Sequence, residues 1–169
     1  RETALIEAFN LKAAIEFCLK NTDAARMALN DMPPRSEEEL DPVTLHNQAL
    51  INIDQNTSGN FRKLNFLLQN PPFPKPTFAN LLLLYCKFSY YDLAADVLAQ
   101  NAHLTIKFLT QDIYEFLEAT ILVPTSPAEA FRKFDDLTKK HIDGLRKMTK
   151  QIQDARIERD NGAIREALK

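Results

Sequence analysis

Glycine is scarce in this chain: three in 169 residues, at Gly59, Gly144 and Gly162. A sheet protein with many tight turns needs more of them, because such turns place residues at positive φ, so the scarcity points to helices. Charge of one sign is also missing. The formal net charge is -2, which gives no basis for nucleic acid as the main ligand. Long apolar runs are absent. The longest, around Leu81 to Leu84, is far too short for a bilayer, so no membrane insertion is expected. No signal peptide is visible. Cysteine is limited to Cys18 and Cys86, both among apolar neighbours and without metal-ligand spacing. They read as buried free thiols in a reducing compartment.

Catalytic patterns are missing as well. The chain has no P-loop, no GxGxxG and no GxSxG. His46, His103 and His141 are far apart and outside any HExxH frame. The pattern places His46 on a helix face, His103 in an inter-repeat loop and His141 on a charged helix. Asp135-Asp136 and the acidic knot Glu37-Glu38-Glu39 lack the flanking residues of a carboxylate pair or a calcium loop. Neither cysteine has a base nearby in sequence. The expectation is a protein that is not an enzyme and needs no cofactor or metal.

What is present is a core. Apolar residues make up 45% of the chain, enough to bury a real interior. The nine prolines fall at Pro33, Pro34 and Pro42; at Pro71, Pro72, Pro74 and Pro76; at Pro124; and at Pro127. Proline is excluded from helix interiors, so helices belong in 1–32, 43–70, 77–123 and 128–169, most of which accommodate an antiparallel pair. In 78–100, Phe78, Leu81, Leu82, Tyr85 and Phe88 share one helical face. Ser89 and Tyr90 break the pattern, and Leu93, Ala94, Val97 and Leu98 begin a second face. Shifted by about 36 residues, Tyr114, Leu117 and Ile121 match Phe78, Leu81 and Tyr85, while Ala130 and Phe134 match Ala94 and Leu98. Leu11, Ile15, Ala25 and Leu29 form a looser copy. Leu50, Ile53, Phe61, Leu64 and Leu68 form the weakest one.

A period in the mid-thirties built from helix pairs is the signature of tetratricopeptide repeats. The expected fold is therefore all-α: about four helical hairpins over 1–137 in an α-solenoid, then a long charged helix and the start of a further helix over 138–169. First helices are expected at 5–19, 43–54, 77–88 and 111–122, with Ala94 and Ala130 at close helix contacts. From about Pro127 a narrow stripe (Leu137, Ile142, Leu145, Met148, Ile152, Ala155) reads as one coiled-coil-like helix ended by Asp160-Asn161-Gly162. Residues 1–60 carry ten acids and five bases, and residues 138–169 carry five acids and nine bases. Such an uneven spread suits solvated surfaces or two patches for different partners. The chain starts at Arg1 rather than Met, already in a helical pattern, and stops inside another, so it reads as an internal fragment of a larger superhelix.

Asn10, Asn47 and Asn80 each precede the apolar register of a first helix, where asparagine costs helix propensity. In tetratricopeptide grooves that position faces a ligand whose backbone the amide can bond; alternatively the amide bonds a neighbouring helix. The expected protein-binding groove comprises Asn10, Asn47, Asn80, Leu83 and Lys87. A generic soluble adaptor capturing short peptides, of the chaperone-cofactor type, is the second possibility. It would need several groove cations for a terminal carboxylate, and the first helices offer mainly Lys12 and Lys87.

Three runs are more distinctive than the repeat itself: 31–50 (Asp31-Met32-Pro33-Pro34-Arg35 through Asn47-Gln48-Ala49-Leu50), Asn80-Leu81-Leu82-Leu83-Leu84-Tyr85-Cys86-Lys87, and Asp92-Leu93-Ala94-Ala95-Asp96-Val97-Leu98-Ala99. With Asn101-Ala102-His103-Leu104 and Lys107-Phe108-Leu109-Thr110, they resemble the central part of the tetratricopeptide repeat protein 30 family, the fleer-type subunit of intraflagellar transport complex B. The similarity covers nearly the whole chain, is strongest between about 5 and 120, and is looser around 51–60 and 138–147. The resemblance implies a subunit of the complex B core, in the cilium or flagellum and the cytoplasm near the basal body. Its full chain would be a closed superhelix around a proline-rich segment of the 52-kilodalton core subunit. It further implies a link to tubulin polyglutamylation without being the modifying enzyme.

Overall fold

Proline sets where several helices start. Pro42 and Pro127 occupy the first helical positions of α3 (Pro42–Ile51) and α9 (Pro127–Ile157), where the missing N–H has no intrahelical partner to lose. In a computed structural model, which describes residues 2–158 and 161–169, the other helices are α1 (Glu2–Cys18), α2 (Thr22–Asn30), α4 (Thr57–Gln69), α5 (Thr77–Lys87), α6 (Tyr91–Gln100), α7 (Ala102–Phe108), α8 (Gln111–Leu122) and α10 (Asn161–Ala167). A 3-10 turn spans Glu37–Glu39. No strand occurs among the described residues, and the fold is all-α with a tetratricopeptide-like arrangement.

Four hairpins recur: α1 with α2, α3 with α4, α5 with α6, and α8 with α9. First helices also meet across hairpins, α1 with α3 and α5 with α8, and each second helix packs on the next first helix. The turns of the first and third hairpins close identically. Asn21 N–H donates to Glu16 O at 2.8 Å and Tyr90 N–H to Tyr85 O at 2.8 Å, with Lys20 and Ser89 at positive φ of 68° and 63°. This is the Schellman arrangement, which satisfies carbonyls left open at the helix end.

Two interiors follow from side-chain size. Small residues Ala13, Ala25 and Ala28 are fully buried with Leu29, Met32 and Ile51, so α1, α2 and α3 approach closely. Between α3 and α8 the core is larger. Phe78, Leu81, Leu82, Leu64 and Leu117 are fully buried there, and the Phe61 and Tyr85 rings stack at 4.4 Å. Ala94 and Ala130 are both buried at hairpin contacts.

Several expectations are corrected. Cys18 is exposed at the end of α1; only Cys86 is buried, and both are free. His103 lies in α7, an extra helix between the third and fourth hairpins, not in a loop. The helix expected from about Pro127 is one element, α9, which serves both as second helix of the fourth hairpin and as the long charged helix, so only the division at 137 and 138 falls inside it. That helix ends at Ile157. Asp160 lies outside the described residues, while Asn161 and Gly162 open α10 rather than terminate α9.

Candidate protein-binding groove

The groove is built from the N-terminus of α3 outward. Asp41 caps that helix: its Oδ2 accepts from the Thr44 backbone N–H at 3.0 Å. Its Oδ1 accepts from the Thr44 hydroxyl at 2.6 Å and from Arg35 Nη1 at 3.0 Å. Burial alone would raise the Asp41 carboxyl. The Thr44 and Arg35 donors outweigh it and hold the group below the usual carboxylate range. Arg35 also reaches the Thr44 oxygen at 3.4 Å and the Met32 sulfur at 3.8 Å. Its two terminal nitrogens are thus held within the protein, while its Nε is buried without a hydrogen-bond partner.

From Thr44 a chain of amides crosses the first helices. Asn10 Nδ2 donates to Thr44 Oγ1 at 2.8 Å, and Asn47 Nδ2 donates to Asn10 Oδ1 at 2.9 Å. His46 continues it. Asn80 Nδ2 lies 3.3 Å from His46 Nε2, and His46 Nδ1 lies 3.4 Å from Asn47 Oδ1. An amide nitrogen only donates, so Nε2 is the acceptor and the ring proton sits on Nδ1, donating to Asn47. Burial pushes the His46 imidazole below its ordinary pKa, with the Asn47 contact opposing that shift. The three asparagines thereby lace α1, α3 and α5 together.

The predicted groove residues are therefore not equivalent. Asn10 is buried and bonded through both amide atoms; Asn47 and Asn80 are half-buried members of the same chain. Leu83 is half-buried against the larger core, and Lys87 is exposed with its ammonium 5.5 Å from the centre of the Phe88 ring. Between α1 and α3 lies a depression of about 610 Å³ lined by Ile6, Asn10, Leu11, Arg35, Val43 and Asn47. Leu11 is 63% and Val43 47% exposed at its rim. Residue order alone did not single out Arg35 or Val43 beside Asn10 and Asn47. A signal was present: Asn10 and Ala13 share a face three residues apart, and a polar residue in a buried register needs a partner.

Among the described residues no cluster of three or more histidine, cysteine, aspartate or glutamate side chains could hold a metal. Burial raises the Cys86 thiol, which disfavours its thiolate.

Repeated helical hairpins stacked in this way define the tetratricopeptide-like class of helical-repeat proteins. Residues 77–169 match the family model described as the intraflagellar transport protein 70 C-terminal domain. The chain is 66% identical over 97% of its length to intraflagellar transport protein 70A of Danio rerio, covering 25% of that protein. It is 64% identical over 99% of its length to the Xenopus tropicalis 70A protein, covering 26%, and 61% identical over 99% to the Homo sapiens 70A protein, covering 25%. The chain belongs to the intraflagellar transport protein 70 family, and it spans about a quarter of the length of the curated relatives it matches.

Proposed function

We propose that this chain is a non-enzymatic scaffold segment of the intraflagellar transport complex B core, acting in the cilium or flagellum, and that it forms part of a larger tetratricopeptide superhelix of the fleer type. Its first-helix face holds an extended, proline-containing segment of another core subunit, the 52-kilodalton component, as a permanent part of the assembly. The reading rests on family membership together with one observation: the groove's polar atoms are mostly spent internally, while Leu11 and Val43 stay exposed. Arg35 is held by Asp41 and Thr44, so it is poorly placed to clamp a free terminal carboxylate, which disfavours the chaperone-cofactor alternative. A proline-containing segment has little conformational entropy to lose on binding and supplies apolar rings and free carbonyls.

The test is co-purification of the full-length protein with the 52-kilodalton subunit. Leu11→Glu with Val43→Glu, and separately Leu83→Glu, should reduce recovery of the partner at least tenfold. The thermal midpoint of the rim double variant should stay close to wild type, since both side chains are exposed. Wild-type stoichiometry with both variants would remove this face as the binding groove.

A further inference from the structure

The polar chain across α1, α3 and α5 has a direction, and one end dictates it. At that end is the Asp41 carboxylate, which has no proton to give. Its Oδ2 faces the Thr44 backbone N–H at 3.0 Å, and its Oδ1 faces Arg35 Nη1 at 3.0 Å. An ionised carboxylate only accepts, so the Thr44 hydroxyl, 2.6 Å from Oδ1, must donate to it. The Thr44 oxygen is then left to accept, and the Asn10 atom 2.8 Å away is the amide nitrogen. That turns Asn10 Oδ1 toward Asn47, which presents its own nitrogen at 2.9 Å. Asn47 Oδ1 in turn needs a proton on His46 Nδ1, 3.4 Å away. The neutral ring then has only Nε2 to offer Asn80, as an acceptor at 3.3 Å.

Every amide is oriented as this sequence of constraints demands. The reverse order would satisfy the same side chains if residue 41 could donate. Each amide would turn over, Thr44 would donate to Asn10, and the ring proton would sit on Nε2 and donate to Asn80. Of the amide contacts in the chain, only the long 3.5 Å one from Asn47 Nδ2 to the Asn10 backbone carbonyl would be lost. Local geometry thus leaves the two directions close, and the carboxylate separates them. Asn10, Thr44 and His46 are buried, so a mismatch in the middle leaves a polar atom without water to replace its partner.

We propose that Asp41 is a positioning residue for the whole chain: through Thr44 it fixes the amide orientations of Asn10 and Asn47 and the ring tautomer of His46, and so sets which atom of Asn80 the ring engages. Three hairpins then answer to one carboxylate at the start of α3. The hydrogen-bonding character of the first-helix face is decided there, whether or not that face holds a partner.

The experiment is magic-angle-spinning NMR of the full-length protein isotopically labelled at histidine, in which the two neutral tautomers give separate ring signals. Spectra are taken above the ordinary histidine pKa of about 6.5, and His46 is identified by the signals lost in His46→Gln. The wild type should show the Nδ1–H form of His46. Asp41→Asn keeps a helix cap of equal rank but supplies a donor, and should move His46 predominantly to the Nε2–H form. Thr44→Val leaves the capping N–H and the Arg35 pair in place but cuts the chain, and should release the Nδ1–H preference as well. Thr44→Ser restores a hydroxyl and should restore that preference. Loss of a cap alone would move none of these signals. Circular dichroism melts check that each variant is folded; should Asp41→Asn fail to fold, the two Thr44 variants carry the test. A wild-type Nε2–H form, or an Asp41→Asn protein that keeps Nδ1–H, would overturn the proposal. So would Thr44→Val that keeps Nδ1–H, which would assign the tautomer to the field of the carboxylate, or Thr44→Ser that behaves as Thr44→Val does.

Discussion

Gly59 and Gly144 show how position alone reverses what a methyl group does. Gly144 sits inside α9, and a Cβ added there meets nothing within 4 Å. Glycine in a helix interior costs about 0.5–1 kcal/mol relative to alanine through backbone entropy. Gly144→Ala should therefore raise the unfolding free energy by about that amount and the thermal midpoint by roughly 2–4 °C. Gly59 lies in the first turn of α4, where its N–H donates to Asn56 Oδ1 at 3.1 Å. An added Cβ would strike the Asn56 amide and displace the cap. Losing such a cap costs about 1 kcal/mol, enough to cancel the propensity gain. In parallel thermal melts Gly59→Ala should not rise with Gly144→Ala; an equal rise would show that the Asn56 cap contributes nothing.

Elements meet through small residues. Ala94 on α6 is fully buried in the larger core, and Ala130 on α9 is buried as well. Filling such a contact forces off-rotamer side chains or backbone shifts. Ala94→Phe should destabilise by about 1–3 kcal/mol, read as a lower urea midpoint at unchanged slope. A midpoint equal to wild type would mean that α5 and α6 do not pack through this residue. The inserted α7 belongs to the same scale. It buries Leu104 and leaves Ile106 91% exposed, so one face of a seven-residue helix anchors it. The 36-residue shift hid this insertion, because the apolar positions of α5 and α8 still align across it.

Across the whole molecule, the asparagine–histidine chain ties three hairpins to one protonation state. Neutral His46 accepts from Asn80; a protonated ring would turn that contact into donor against donor. Burial lowers the folded-state pKa, whereas the unfolded imidazole titrates near 6.5. Below that pH the unfolded chain binds more protons than the folded one, so stability is full above about 6.5 and falls as pH drops through it toward the depressed folded value. Urea midpoints should therefore decline between pH 7 and 5.5, and His46→Gln should flatten that decline. The lowered carboxyl of Asp41 acts in a separate, more acidic window, because its stabilisation is lost only as pH falls below the ordinary aspartate range. A His46→Gln profile as steep as wild type would assign the slope to another group.

Periodicity sufficed for much of this. Proline cannot sit inside a helix and apolar side chains must share a face, so helical hairpins, the close contacts at Ala94 and Ala130, and the length of α9 are all legible in residue order. The distinctive runs around Pro33-Pro34 and Asn80–Lys87 pointed to the family as well. Other features depend on neighbours distant in the chain. Whether Leu11 or Asn10 faces inward is a rotation of about 100° on α1, decided by Thr44 and Asn47, which lie 34 and 37 residues away. Cys18 is exposed together with its apolar neighbours Ile15, Phe17 and Leu19 at the end of α1, and Arg35 lines the depression between α1 and α3 bonded to Asp41, six residues on. Local spacing sets which side chains share a stripe; only the packed partner decides whether that stripe becomes core, hydrogen-bonded strut or open surface.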